Sequence, residues 1–264
     1  MKTVIHIIIF SILTLTTQIG GVIYLVTLFG VRKPVEYLFL LRLGIFLALY
    51  LLSTFLIVPS ISPIFGREKI KETDVLKAHS FIYVLLNRNY VHPELNEAIT
   101  EIATEFEEAN SEIKLTFLDA NFPFLNGFPL PPHLSHNDGK KIDVSLIYEN
   151  TNGKLINRKP TVSGYGYFEK PDVNELDQIT KCKETGNWHY DFPKYLTLGT
   201  INNDIVFSEK GTRNLINIIA SHNKIEKLFL EPHLKNRLGL TNSKIRYHGC
   251  QAVRHDDHIH FQLK

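Results

Sequence analysis

Residues 254–263, RHDDHIHFQL, decide the reading of this chain. Side chains alternate in character from His258 to Leu263, so the segment reads as a strand whose successive residues point to opposite faces. His258 and His260, two apart, then share one face. More than a hundred residues upstream, residues 133–144 read HLSHNDGKKIDV. Asp138-Gly139 marks a tight turn there, and the alternation from Ile142 to Tyr148 marks a second strand. That turn can fold His136, in the loop, and Asp143, on the strand, toward one point. Half of the twelve histidines fall in these two segments and the Tyr247-His248 stretch just before the second.

Zinc is bound by imidazole nitrogen and carboxylate oxygen, and a catalytic site uses three protein ligands and leaves a fourth position for water. His136, Asp143 and His260 supply such a set for one zinc ion. Around them the pattern predicts a helix from Pro93 bearing Leu95, Ile99, Ile102 and Phe106 on one face, and a strand from Ile113 to Leu118. Ser208 caps a helix through about Ser221, Ile225 to Leu230 reads as a strand, Pro232 opens a short helix and residues 244–248 read as a strand. Residues 120–135 are too rich in proline and glycine for a regular element and too apolar for a solvated linker, as in loops that line pockets. The sum is an α+β domain with a largely antiparallel sheet.

The N-terminal quarter has a different character. Residues 4–31 contain no charged residue, and residues 37–58 are interrupted only by Arg42. Each run is long enough to cross a bilayer, so two spans are expected, followed by a break at Pro59 and Pro63. Arg32-Lys33-Pro34 and Arg42 favour a cytoplasmic connection between the spans, which would put both termini outside. The expected organisation is a membrane hairpin over 1–66, a linker and helical lead-in over 67–110 with a linker helix at 70–91, and a zinc domain over 111–264.

A formal net charge of +2, with lysines and arginines interspersed among acids, argues against nucleic acid as a partner. The two cysteines, Cys182 and Cys250, form no CxxC pair, which excludes a cysteine-rich zinc module and leaves either one disulfide or two buried thiols. Oligomeric state has no sequence signal here.

SHNDGKKID resembles the SHxxGxxxD segment, and HDDHIH the HxxHxH segment, of the penicillin-insensitive murein endopeptidases. That family belongs to a wider group of lysostaphin-like, D-alanyl-D-alanine-peptidase and hedgehog-type zinc folds. The resemblance covers roughly residues 130–150 and 210–264. It implies a zinc peptidase acting on peptidoglycan stem peptides, as endopeptidase or carboxypeptidase, with His136, Asp143 and His260 as ligands. His255 then stands in the position of the general base, and His258 beside the metal as an oxyanion donor or a support to the ligands. For His133 a supporting role and a substrate contact are both open. Asp256 or Asp257 would orient an imidazole, or else be surface charges at a strand start. The alternative within the same fold is a binding or signalling module that keeps its zinc without turnover. If Cys182 and Cys250 are bonded, the domain must be extracytoplasmic.

Overall fold

The protein is described here from a computed structural model, which covers residues 2–32 and 37–264. Lys33 and Pro34 of the basic connection lie outside the described residues. The first apolar run is not one span. It forms α1 (Lys2–Thr17) and α2 (Gly20–Gly30), separated at Gln18, whose φ of 66° turns the chain back. Gly20 and Gly21 permit this reversal, because a Cβ on Gly21 would fall 1.9 Å from the Thr14 hydroxyl. At ~1.5 Å per residue each helix is shorter than the ~30 Å apolar layer of a bilayer.

The second run is one helix from Leu38 to Phe65, 28 residues, and it alone among the described residues is long and apolar enough to cross a membrane. It comprises α3 (Leu38–Leu52), a π-turn at Ser53–Ile57, α4 (Val58–Ile61) and a 3-10 turn at Ser62–Phe65. Pro59 and Pro63 therefore do not end it. The π-turn, closed by the Val58 N–H on the Ser53 carbonyl, widens the turn where the Pro59 ring must fit, and the chain stops only at left-handed Gly66. Tyr50, Thr54, Val58 and Ser62 form a buried stripe facing the domain, while Phe55, Leu56 and Ile64 on other faces stay exposed.

Next come β1 (Glu68–Lys69), β2 (Leu76–Ala78), the single-turn α5 (Phe81–Leu85) capped by Ser80, β3 (Tyr90–Val91), α6 (Pro93–Ala109) and β4 (Leu115–Phe117). The linker helix expected over 70–91 is thus absent: β2 pairs in parallel with β4, and that pairing overrides the helical spacing of Val75, Leu76, His79, Ile82 and Leu86. Ile70, Leu76, Leu95 and Phe106 share the main core with the sheet, so residues 67–110 are built into the domain.

Then follow β5 (Lys141–Ser145), β6 (Tyr148–Glu149), β7 (Leu155–Ile156), α7 (Gln178–Glu184), a 3-10 helix at Trp188–Tyr195 and β8 (Val206–Phe207). The chain closes with α8 (Glu209–Ser221), β9 (Ile225–Phe229), α9 (Pro232–Arg237), β10 (Ile245–Arg246) and β11 (His258–Leu263). The main sheet has the order β10-β9-β11-β5-β4-β2, parallel at the two outer pairings and antiparallel between them. The class is α+β with a mostly antiparallel sheet, and the two histidine-bearing segments are its central strands.

Candidate metal centre

The register of β5 and β11 builds the centre, because it sets His260 directly opposite Asp143. His136 arrives from the loop before β5. Its Nδ1–H donates to the Ala120 carbonyl at 2.6 Å, which leaves Nε2 with a free lone pair. That Nε2 lies 2.9 Å from His260 Nδ1 and 3.2 Å from Asp143 Oδ1, and His260 Nδ1 lies 2.9 Å from the same oxygen. All three side chains are buried. For a tetrahedral ion with bonds of ~2.0–2.1 Å, ligand atoms stand about 3.3 Å apart. The observed triangle is a few tenths of an ångström tighter and can hold a metal ion.

A second group, His133, Asp143 and His258, shares the carboxylate and can also hold one. His133 Nδ1 lies 2.9 Å and His258 Nε2 3.7 Å from Asp143 Oδ2. That oxygen already accepts the Tyr165 hydroxyl at 2.7 Å.

Burial alone would raise the Asp143 carboxyl, yet the imidazoles of His136, His258 and His133 hold it well below the usual range. Burial likewise lowers His133, but Asp143 and Asp119 outweigh it and raise that imidazole to about 9. His260 is pulled down to about 3, chiefly by burial, and so presents a neutral ring. His255 lies well below its ordinary value, from burial first and then from His258 and His260.

No family model and no curated protein matches this chain. The case for its function therefore rests on the geometry of the site.

His255 packs 4.9 Å from His258 and 5.8 Å from His260, centroid to centroid. Its backbone N–H donates to Glu231 Oε1 at 3.0 Å. Asp257 and Asp256, adjacent in sequence, do different work. Asp257 Oδ1 takes the His258 Nδ1–H at 2.5 Å and Oδ2 takes the Gly166 N–H at 2.6 Å, so this residue fixes the His258 ring with Nε2 toward Asp143. Asp256 instead turns to Arg254, whose Nε donates at 2.7 Å, and its only imidazole neighbour is His233 at 3.8 Å. Neither is a surface charge, since both are fully buried.

His260 and His255 line one cleft of about 480 Å³, with Pro131 to Ser135 on one wall and Trp188, His189 and Phe192 on another. The loop at 120–135 thus does line a pocket. Cys182 and Cys250 are joined by a disulfide, and both sulfurs lie near Tyr247, whose hydroxyl is 3.0 Å from Cys182 Sγ.

Three contributors escaped sequence reasoning. Tyr165 donates to Asp143 while its oxygen accepts the Asp119 N–H at 3.2 Å. Asp119 pairs with Arg88 at 2.7 Å and faces His133 at 3.5 Å. Glu231 accepts the Tyr190 hydroxyl at 2.6 Å, and its carboxyl is raised to about 7 by burial and by Asp256. None lies in a motif; only the GYGYF stretch around Tyr165 offered a signal, as glycine-rich turns between aromatics.

Proposed function

We propose that this chain is a membrane-anchored zinc metallopeptidase that hydrolyses peptide bonds in peptidoglycan cross-links. The observation that carries the reading is the convergence of His136 Nε2, Asp143 Oδ1 and His260 Nδ1 within 3.2 Å of one another, with His260 also lining a cleft. The donor set fits zinc: the His136 tautomer is fixed by Ala120, and His260 is neutral. The compact triangle favours this trio over the His133 group, whose shared oxygen is already engaged by Tyr165.

When bound, zinc would lower the pKa of a water toward neutrality and polarise the scissile carbonyl. His255, which packs against His258 and His260 and lines the cleft, is the base that takes the proton and then returns it to the leaving amine. His258, held by Asp257, turns Nε2 toward the reacting centre and steadies the developing negative charge when that nitrogen is protonated. Tyr165 keeps Asp143 in place by occupying its second oxygen. The domain belongs to the hedgehog-type and D-alanyl-D-alanine-peptidase group on this reading, and lies outside the cytoplasmic membrane, where the Cys182–Cys250 disulfide would persist.

The test compares His255→Ala and His136→Ala in the purified full chain, incubated with sacculi. His255→Ala should retain its zinc and lose at least ~10²-fold in rate, while His136→Ala should lose both zinc and activity. Wild-type protein that holds zinc but releases no muropeptide would instead favour the non-catalytic zinc module.

A further inference from the structure

The cleft is unusual for what it lacks. Among the described residues, no aspartate, glutamate, lysine or arginine lines it, and the ionisable groups that do are imidazoles. The acids that touch its histidines or neighbour them in sequence, Asp119, Asp143, Glu231, Asp256 and Asp257, are all buried, and Arg254 is committed to Asp256 and to Asp191 at 3.0 Å. The walls are apolar: Pro131, Pro132 and Leu134 on one side, Trp188, Phe192 and Val253 on the other. Trp188 is 74% and Leu134 60% exposed, so two large apolar side chains stand in water in a cleft that His260 of the proposed metal centre also lines.

Such exposure costs free energy in the empty protein and is recovered when an apolar group covers it. The Trp188 wall is also fixed in place. Its 3-10 helix is held from below by buried Tyr190, bonded to Glu231, and the preceding helix by the disulfide to Cys250. A cationic side chain entering this cleft would lose hydration and meet no carboxylate, whereas an aliphatic one would gain contact with the apolar lining.

We propose that the subsite lined by Leu134, Trp188 and Phe192 selects an uncharged, apolar side chain next to the scissile bond and rejects cationic ones. This rests on the metallopeptidase reading for the bond that is cut, but not for what the walls bind. In a cell-wall cross-link, the subsite would take the alanyl methyl and leave any cationic group outside it.

Trp188 is the sole tryptophan in the chain, so its emission reports occupancy of the subsite whether or not the ligand is cleaved. The experiment mixes zinc-loaded full-length protein in detergent with blocked alanine tetrapeptides that differ at one position: norleucine or lysine. Norleucine and lysine share an aliphatic stem, so they differ chiefly in charge. Stopped-flow emission should give norleucine an affinity about ten-fold or more above the lysine peptide, and Phe192→Ala should erase most of that preference. Equal affinities, or no emission change with any peptide, overturn the proposal. Zinc-dependent hydrolysis measured on the same peptides judges the metallopeptidase reading separately: cleavage without charge discrimination sinks only the subsite, and discrimination without cleavage sinks only the enzyme.

Discussion

Asp143 receives partners on both oxygens, and this double commitment makes a neighbour testable. The Tyr165 hydroxyl donates to Oδ2, the oxygen the proposed ligand trio does not use. Tyr165→Phe should leave the fold intact and weaken zinc by about 10–100-fold, read by competition with a chromogenic chelator. Wild-type affinity would remove Tyr165 from the centre. A second residue carries a pH signature. The Lys159 amine is buried, donates to the Leu146 carbonyl at 3.0 Å, and is lowered by burial from 10.5 to about 7. Between about pH 7 and pH 10.5 the unfolded chain binds this proton and the folded chain does not, so stability rises with pH across that window. Lys159→Met should flatten the rise, since the Ser145 hydroxyl still serves the Leu146 carbonyl. An unchanged Tm-against-pH curve would show that Lys159 is not buried in this way. These cases mark what was legible residue by residue. His136, Asp143 and His260 could be read because each sits in a short motif of metal-binding types. Tyr165, Asp119 and Glu231 could not, because ordinary tyrosines and acids acquire roles only once distant segments pack.

Among the elements, α8, β9 and α9 stand close to where capping Ser208, the apolar run from Ile225 and Pro232 put them, since each carries a local start signal and a clear period. The stretch 70–91 failed for the opposite reason: its apolar spacing fits a helix, and only the partner strand β4 draws Leu76–Ala78 into the sheet. The strand expected over 142–148 likewise divides, with β5 in the main sheet and β6 in a three-stranded one, because the chain changes sheets at Leu146 and Ile147. One element owes its position to a covalent link. The Trp188–Tyr195 helix follows α7, which Cys182 ties to Cys250 across 68 residues. Replacing both cysteines with serine should lower stability by about 4 kcal/mol on loop-entropy grounds, visible as a fall in Tm. Because the cleft wall moves with this helix, the same variant should raise KM more than it lowers kcat. An increase confined to neither, with unchanged Tm, would mean that the wall stands without its tether.

At the scale of the molecule, the reversal at Gln18 changes the expected membrane topology. The Gln18 side-chain oxygen accepts the Phe124 N–H at 3.0 Å, so the turn between α1 and α2 rests on the domain. The Tyr50 hydroxyl donates to the Leu85 carbonyl at 2.7 Å and marks the same level on the long helix. At the other end His6 meets Tyr24 at 2.5 Å, and Arg42 donates to the Val31 carbonyl at 2.7 Å. The start of α1, the end of α2 and the start of α3 therefore share the end remote from the domain. Lys2, Arg32 and Arg42 fall at that end in sequence, so the three charges act together. On the membrane-anchored reading proposed above, the positive-inside rule makes that end cytoplasmic and puts the domain across the membrane from the start of α1. The pattern could not reveal this, because an uncharged run of 28 residues reads as one span until a single left-handed residue folds it. Single cysteines at exposed Thr3 and Asn152, with the native disulfide intact, test it in whole cells with a membrane-impermeant maleimide. The residue 152 cysteine should label in intact cells and the residue 3 cysteine only after permeabilisation. Labelling of both from outside would restore the hairpin with its two ends on one side, and would mean that α1 and α2 straighten into a single span when lipid surrounds them.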